Sequence, residues 1–247
     1  MVKELVRKLS GFFTLSEGTA EDLVKLCSEC RVFAPKERIA ITGEAYRGIY
    51  LVRNGWALRS RVLENGARQI VNVAMPGDFL CLNAVLFRDS DFDVVAKTEV
   101  TAFLIEREVL RAVLGRDPDL AAAIFWVTAH EESMLAERIV SLGRRSVRVR
   151  TAHVLCEFIS RLGIIDEAHA NEVLIPLTQE DVADILGTSL VHTNKTLRSL
   201  DRDGIIQFRQ GLLRISDRRR LEMTAGFERG YLHFTRDCPP RAAAIGD

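Results

Sequence analysis

The spacing of apolar residues changes period along the chain. Over residues 1–30 it is helical, with Leu5, Leu9 and Phe12 followed by Leu23, Leu26 and Cys27. From Arg31, short apolar runs alternate with turn signals, the pattern of a β-sandwich or barrel. Ile39-Ala40-Ile41 stops at Thr42-Gly43, and Ile49-Tyr50-Leu51-Val52 at Asn54-Gly55. Trp56 to Leu63 stops at Asn65-Gly66, and Ile70-Val71-Asn72-Val73 at Pro76-Gly77-Asp78. Asn54-Gly55 is the strongest signal, because a tight hairpin needs positive φ at both central residues. Val94-Val95-Ala96 and Val100 to Ile105 close the series. The pattern predicts a small antiparallel β-roll from 31 to 106.

The period then returns to that of a helix. Arg107 to Leu114 is a short helix, and Pro118 opens a long one. Its stripe runs through Leu120, Ile124, Val127, Met134, Leu135, Ile139 and Leu142 to Gly143, interrupted by Glu131 and Arg138. Such a stripe needs cover. Its own domain is one source; a second copy of the same helix, in a homodimer seam, is the sharper one. Gly143-Arg144-Arg145-Ser146 reads as a hinge. Helices follow at Val149–Leu162, Val182–Leu186 and Leu190–Leu200, then strands Ile205–Phe208 and Leu212–Ile215, turning at Gln210-Gly211. The reading is α+β. Residues 1–116 form the β-roll with flanking helices, 117–145 the long helix and hinge, 146–230 a second module and 231–247 a loose tail.

The second module carries the chemistry. Thr178-Gln179-Glu180-Asp181 is a capping box, with Thr178 capping a helix and Asp181 reaching back. Val182, Ala183, Ile185 and Leu186 form the buried side of that helix, and Gly187 permits a sharp turn. Thr188 or Ser189 caps the next helix, whose inward residues include Leu197 and Leu200. Small Ala183 with a turn glycine four residues on suits two helices that cross closely. With the strand–turn–strand after Asp203-Gly204, this predicts a winged helix-turn-helix. The plainer alternative is a helical hairpin within a larger core.

Composition narrows the function. The 247 residues carry 34 basic and 34 acidic side chains, which excludes a generally basic nucleic-acid coat. Residues 144–236 alone carry 15 basic against 12 acidic, a weak pointer toward polyanions. There is no long apolar run to span a membrane. The start, Met1-Val2-Lys3-Glu4, lacks the pattern of a cleaved signal. Five irregularly spaced cysteines make no disulfide framework, so a reduced, cytoplasmic setting is expected. No nucleotide-binding glycine loop, H-E-x-x-H or G-x-S-x-G occurs, which argues against an enzyme. A pure interaction module is the other rival.

Gly43-Glu44, Asn54-Gly55, Pro76-Gly77-Asp78-Phe79, Ala96-Lys97-Thr98, the long helix and Leu177–Ile206 together resemble the cyclic-AMP receptor/fumarate-nitrate regulator superfamily of bacterial transcription factors. The likeness spans about residues 10–225. It implies a homodimer, a regulatory β-roll, a dimer helix and a DNA-reading C-terminal domain. It also implies contact with RNA polymerase, more often in activation than repression. By the family pattern, Leu190, Val191 and Lys195 are the base readers. The family often has Arg-Glu where this chain has Leu190-Val191, so its usual half-site is not expected. Lys195 can donate to guanine, and Val191 or Leu190 can meet a thymine methyl. Gln179, Thr188, Ser189, His192, Asn194 and Arg198 complete the candidate DNA site, suited to phosphates or neighbouring base edges. His192 reads equally as ordinary polar surface. Arg209 and Arg214 on the wing read as solvated, with backbone contact as the alternative.

Cyclic-nucleotide sensors in the family hold the phosphate with a Gly-Glu pair and an Arg-Ser pair. Here those positions align with Cys81-Leu82 and Ser90-Asp91. Asp89, Asp91 and Asp93 surround Arg88 with negative charge, and Leu135-Ala136 stand where the family has hydroxyls for adenine. Cyclic AMP is therefore not expected as effector. The Asp89–Asp93 run reads as a solvated loop. Cys27-x-x-Cys30 reads as two small residues, with a redox pair or a metal site as alternatives. A cluster wants four thiolates, so an iron–sulfur centre is not supported. Nor is haem, since no histidine precedes His130, which reads as surface polar. No cofactor or metal is expected. A redox- or small-ligand-responsive regulator, through Cys27 and Cys30 or the β-roll cavity, is the alternative.

Overall fold

The computed structural model describes residues 17–27, 29–165 and 171–233. The expected helical positions Leu5, Leu9 and Phe12, and tail residues 234–247, lie outside them. Helix α1 (Glu17–Leu26) leads into strands β1 (Glu29–Phe33), β2 (Arg38–Ala40), β3 (Ile49–Asn54), β4 (Ala57–Val62), β5 (Arg68–Ala74) and β6 (Phe79–Leu80). A short 3-10 turn (Leu82–Val85), β7 (Asp93–Ala96) and β8 (Val100–Ile105) complete the roll. Among the described residues its two four-stranded sheets run β1-β8-β3-β6 and β2-β7-β4-β5, with every pairing antiparallel. The first strand begins at Glu29, two residues before the expected Arg31. Asn54-Gly55 does not make the expected tight hairpin: β3 and β4 lie in different sheets, and of the two residues only Gly55 has positive φ. Gly55, at φ +89°, carries the chain from one sheet to the other where a Cβ would strike the backbone of Glu99.

Helices α2 (Arg107–Arg116) and α3 (Pro118–Arg144) follow. Asp117 caps α3 by accepting from the amides of Asp119 and Leu120, with Pro118 in the first turn. Leu120, Ile124 and Val127 pack with Leu23, Leu26, Phe103 and Leu110. The long stripe therefore divides. Leu120, Ile124, Val127 and Met134 face inward, whereas Phe125, Ile139 and Val140 are exposed by 75%, 70% and 50%. The sequence reading merged two faces of one helix. Gly143 lies inside α3, which leaves Arg145 and Ser146 to make the joint before α4 (Val147–Ile165).

The winged module contains α4, β9 (Glu172–Leu174), α5 (Gln179–Leu186), α6 (Leu190–Arg202), β10 (Ile206–Arg209), β11 (Leu212–Ile215) and α7 (Arg218–Ala225). A 3-10 turn spans Arg229–Leu232. The wing is three-stranded, in the order β10-β11-β9, rather than a lone hairpin. Tyr231 and Leu232 belong to the packed body and not to a loose tail: Leu232 is fully buried, and Tyr231 donates to Glu157 at 3.2 Å. The module rests directly on the roll. Trp56, Leu58, Ile70 and Val73 share one apolar cluster with Phe158, Ile185 and Leu186.

A buried polar group joins the three parts. Glu157 on α4, 2% exposed, accepts from Arg138 of α3 at 2.9 Å and lies 3.7 Å from Arg161. Arg161 reaches the roll, donating to Asp78 at 2.7 Å and to the carbonyl of Val73 at 2.9 Å. Beside them His153 stacks on Tyr231 and sits 3.2 Å from Glu137. Burial first, then Arg145, pushes the His153 pKa down from 6.5 to about 4. The unfolded chain therefore binds the extra proton between those values. Stability is expected to fall as pH drops from 6.5 toward 4 and to be flat, for this group, above 7. A lower urea midpoint at pH 5 than at pH 7, less so in His153→Leu, is the expected observation. Equal midpoints in the two chains at both pH values contradict it.

Candidate nucleic-acid interface

Helices α5 and α6 meet at Gly187, whose φ of +58° caps α5 in the left-handed region that glycine favours. The capping box is complete. The Asp181 amide donates to Thr178 Oγ1 at 3.1 Å, and Asp181 Oδ2 accepts from the Thr178 amide at 2.8 Å. Ser189, not Thr188, caps α6, accepting from the amide of His192 at 3.2 Å. Thr188 instead closes the end of α5, its amide donating to Ala183. Thr193, Leu197 and Leu200 point inward.

The opposite face of α6 is open. Leu190 and Val191 are 44% and 80% exposed. Val191, Asn194, Lys195, Arg198, Asp201 and Arg202 line a shallow groove along it. Val191, Lys195, Arg198 and Arg202 recur at helical spacing on one side, with three cations among four residues. The structure thus brings Val191, Asn194, Lys195 and Arg198 together and adds Arg202. The helical spacing from Lys195 and Arg198 could have found it. Leu190, Ser189 and His192 sit at the helix's N-terminal end, exposed. Asn194 is half-buried, and its Oδ1 has no hydrogen-bond partner. Gln179 is exposed at the start of α5, with Thr188 half-buried in the turn. Arg148 fixes the far end of α6, donating to Ser199 at 2.8 Å and Asp203 at 2.6 Å. On the wing, Arg209 pairs with Asp201 at 3.4 Å and Arg214 with Glu172 at 2.8 Å.

Residues 149–224 match the Crp-like helix-turn-helix domain family, and residues 30–117 match the cyclic nucleotide-binding domain family. The nitrogen fixation regulation protein FixK of Azorhizobium caulinodans is 30% identical over 176 residues, 71% of this chain and 70% of that one. The transcriptional activatory protein AadR of Rhodopseudomonas palustris is 27% identical, covering 89% of this chain and 90% of its own. The chain belongs to the CRP/FNR family of DNA-binding transcription regulators. The structure of FixK2 from Bradyrhizobium japonicum superposes with a TM-score of 0.73 at 25% identity, covering 79% of this chain and 96% of that one. A CRP/FNR-family regulator from Thermus thermophilus, at 21% identity and TM-score 0.66, covers 81% of this chain and 99% of its own and shares the fold.

A small cavity lies between the roll and α3. Cys81, Leu82 and Ser90, the residues aligned with the family's phosphate cassette, do line it, with Arg59, Asn72, Phe92, His130, Glu131 and Arg161. Cys81 takes φ +59°, the glycine-like conformation, without being glycine. The remaining volume is about 40 Å³. Arg59, one of the cavity walls, lies 5.5 Å over the Phe92 ring and 3.4 Å from Glu131. Asn72 also donates to Glu131, at 2.5 Å. His130 is buried, stacked 4.9 Å from Trp126, and is not the surface residue expected. The Asp89–Asp93 run is only partly a solvated loop. Ser90 is buried and bridges to Thr42, and Asp93 accepts from the Thr42 amide at 2.8 Å. Cys27 is buried and Cys30 exposed. Burial, then Cys30, pushes the Cys27 thiol up to about 12, away from a reactive thiolate. Among the described residues, no three His, Cys, Asp or Glu side chains converge as metal ligands would. Nor, among those residues, is any helix long and apolar enough to cross a membrane.

Proposed function

We propose that the protein binds palindromic DNA as a homodimer, each protomer laying α6 in a major groove, with no cyclic nucleotide required. The open cationic face of α6 carries this reading: Val191, Lys195, Arg198 and Arg202 line one side of a capped helix whose opposite side is buried. Residues near the start of such a helix reach base edges, and cations farther along meet phosphates. The exposed Phe125, Ile139 and Val140 on α3 support the dimer, because a second α3 in parallel contact would cover them. Contact with RNA polymerase follows from family membership and belongs to the same proposal, as does the absence of catalysis.

The cavity supports the second half of the reading. A liquid water occupies about 30 Å³ and small-molecule pockets run to hundreds. A free space of about 40 Å³, lined by Arg59 and Glu131, does not fit a cyclic nucleotide. The paired glycine-acid and arginine-serine groups that hold its phosphate are also replaced. Calorimetric titration with cyclic AMP is expected to give no heat of binding; micromolar affinity contradicts this half.

The Lys195→Ala variant tests the first half. It is expected to lose about 1–3 kcal/mol of binding per lost base contact and to relax preference at one position of each half-site. Salt dependence should stay steep, because the remaining arginines still displace counterions. Unchanged affinity with unchanged preference removes Lys195 from the reading face.

A further inference from the structure

Two residues, Arg145 and Ser146, join the winged module covalently to α3, yet the module is also clamped to the roll through α5, the first helix of the helix-turn-helix. Arg68, at the start of β5, donates from Nε to Asp184 at 2.6 Å and from Nη2 to Asp181 at 2.9 Å. Lys97, in the turn after β7, lies 2.5 Å from the other Asp181 oxygen. Gln69 donates to the carbonyl of Ile185 near the end of the same helix, at 3.3 Å. Both ends of α5 are therefore held by side chains of the sensor roll. Asp181 has only 4% of its side chain exposed, and Thr178 donates to it from both its amide and its hydroxyl. Two cations meet two carboxylates, so no charge is left over. Behind them Gly187 is hemmed in: a Cβ there would lie 3.2 Å from Gln69 Oε1 and 3.3 Å from Leu142.

We propose that this clamp positions the DNA-reading head: Arg68 and Lys97 set the angle at which each α6 leaves its protomer, and so the half-site spacing that the dimer accepts. The proposal rests on the dimeric DNA-binding reading above. Two recognition helices must reach successive major grooves about 34 Å apart, so a small change in angle displaces the second helix from its groove. An apolar contact tolerates sliding, whereas a forked guanidinium gripping two carboxylates fixes direction. Neither cation lies on the reading face of α6, so both act as positioning residues. Holding the head in its bound orientation removes an ordering cost from binding.

The test uses the full chain and a set of palindromes whose half-sites are moved apart by single base pairs. Arg68→Asp and Asp184→Arg are each expected to reduce discrimination between the preferred spacing and its neighbours by about tenfold, while the swapped double variant restores it. Asp181 is left intact because it also caps α5. Hydrogen exchange of the α5 amides gives a readout without DNA: each single reversal speeds it and the double swap slows it again. Unchanged spacing preference and unchanged exchange in the single variants overturn the proposal, as does failure of the swap to rescue either. If the wild-type chain selects no DNA at all, the functional reading fails, and the exchange data alone decide whether the clamp exists.

Discussion

Replacing Glu157 with alanine is expected to lower the unfolding free energy by about 3–5 kcal/mol. Its carboxylate accepts from Arg138 at 2.9 Å and from the Tyr231 hydroxyl at 3.2 Å, with Arg161 3.7 Å away. The side chains of Arg138 and Arg161 are only 11% and 6% exposed. Without Glu157, Arg138 loses its carboxylate partner and Arg161 keeps only Asp78 at 2.7 Å. Breaking a buried pair from one side leaves an uncompensated charge, which is costlier than never having the pair. The loss spreads beyond α4, because this residue ties α3 and the turn at Tyr231 to the winged module. Denaturant unfolding reads the change directly. A loss below about 1 kcal/mol, the range of exposed ion pairs, contradicts the account of a buried hub.

Ile139→Asp should leave the protomer folded and abolish the dimer. The side chain is 70% exposed in the protomer, so its removal opens no cavity there. In the proposed seam of two parallel α3 helices, the substitution places one carboxylate from each protomer in an apolar contact. A penalty of about 4 kcal/mol or more per dimer corresponds to roughly a thousandfold in the dimer constant. Affinity for a two-half-site operator falls with it, while thermal unfolding of the protomer barely moves. Sedimentation that still shows a dimer places the seam elsewhere.

Much of this architecture was legible because local chemistry and global fold agree. The Thr178 capping box, Gly187 and Ser189 each state a backbone requirement that few other residues meet, and each stands where the structure uses it. Asn54-Gly55 marks a turn but not the expected hairpin, because the strands on either side of it pair with other partners in separate sheets. The missed elements lack an apolar period. Helix α7 opens with three arginines and buries only Leu221 and Ala225, and the cap pair Asp217 and Gly226 was its sole sign. Strand β9 is three residues long and mostly exposed. The apolar residues of α3 form one pattern in sequence although Leu120, Ile124, Val127 and Met134 are buried while Ile139 is exposed, because spacing alone does not say which apolar positions find cover. His130 is polar in sequence but buried in the fold, stacked on Trp126 one turn earlier. Arg202 is one further turn along the face already marked by Lys195 and Arg198. The clamp of Arg68 and Lys97 on α5 was beyond reach for a different reason. Its partners are separated by more than 80 residues, Arg68 and Asp184 by 116, and nothing local in the sequence couples them.

The central claim is that a cation-lined α6, presented twice by a symmetric dimer, reads DNA without a bound effector. Selection from a random DNA pool by the purified, ligand-free protein at moderate salt, followed by sequencing, tests it most directly. The expected result is a palindrome with half-sites about one helical turn apart, with the Lys195→Ala variant losing preference at one position in each half. Enrichment of nothing by the ligand-free protein, or of single half-sites without symmetry, contradicts it.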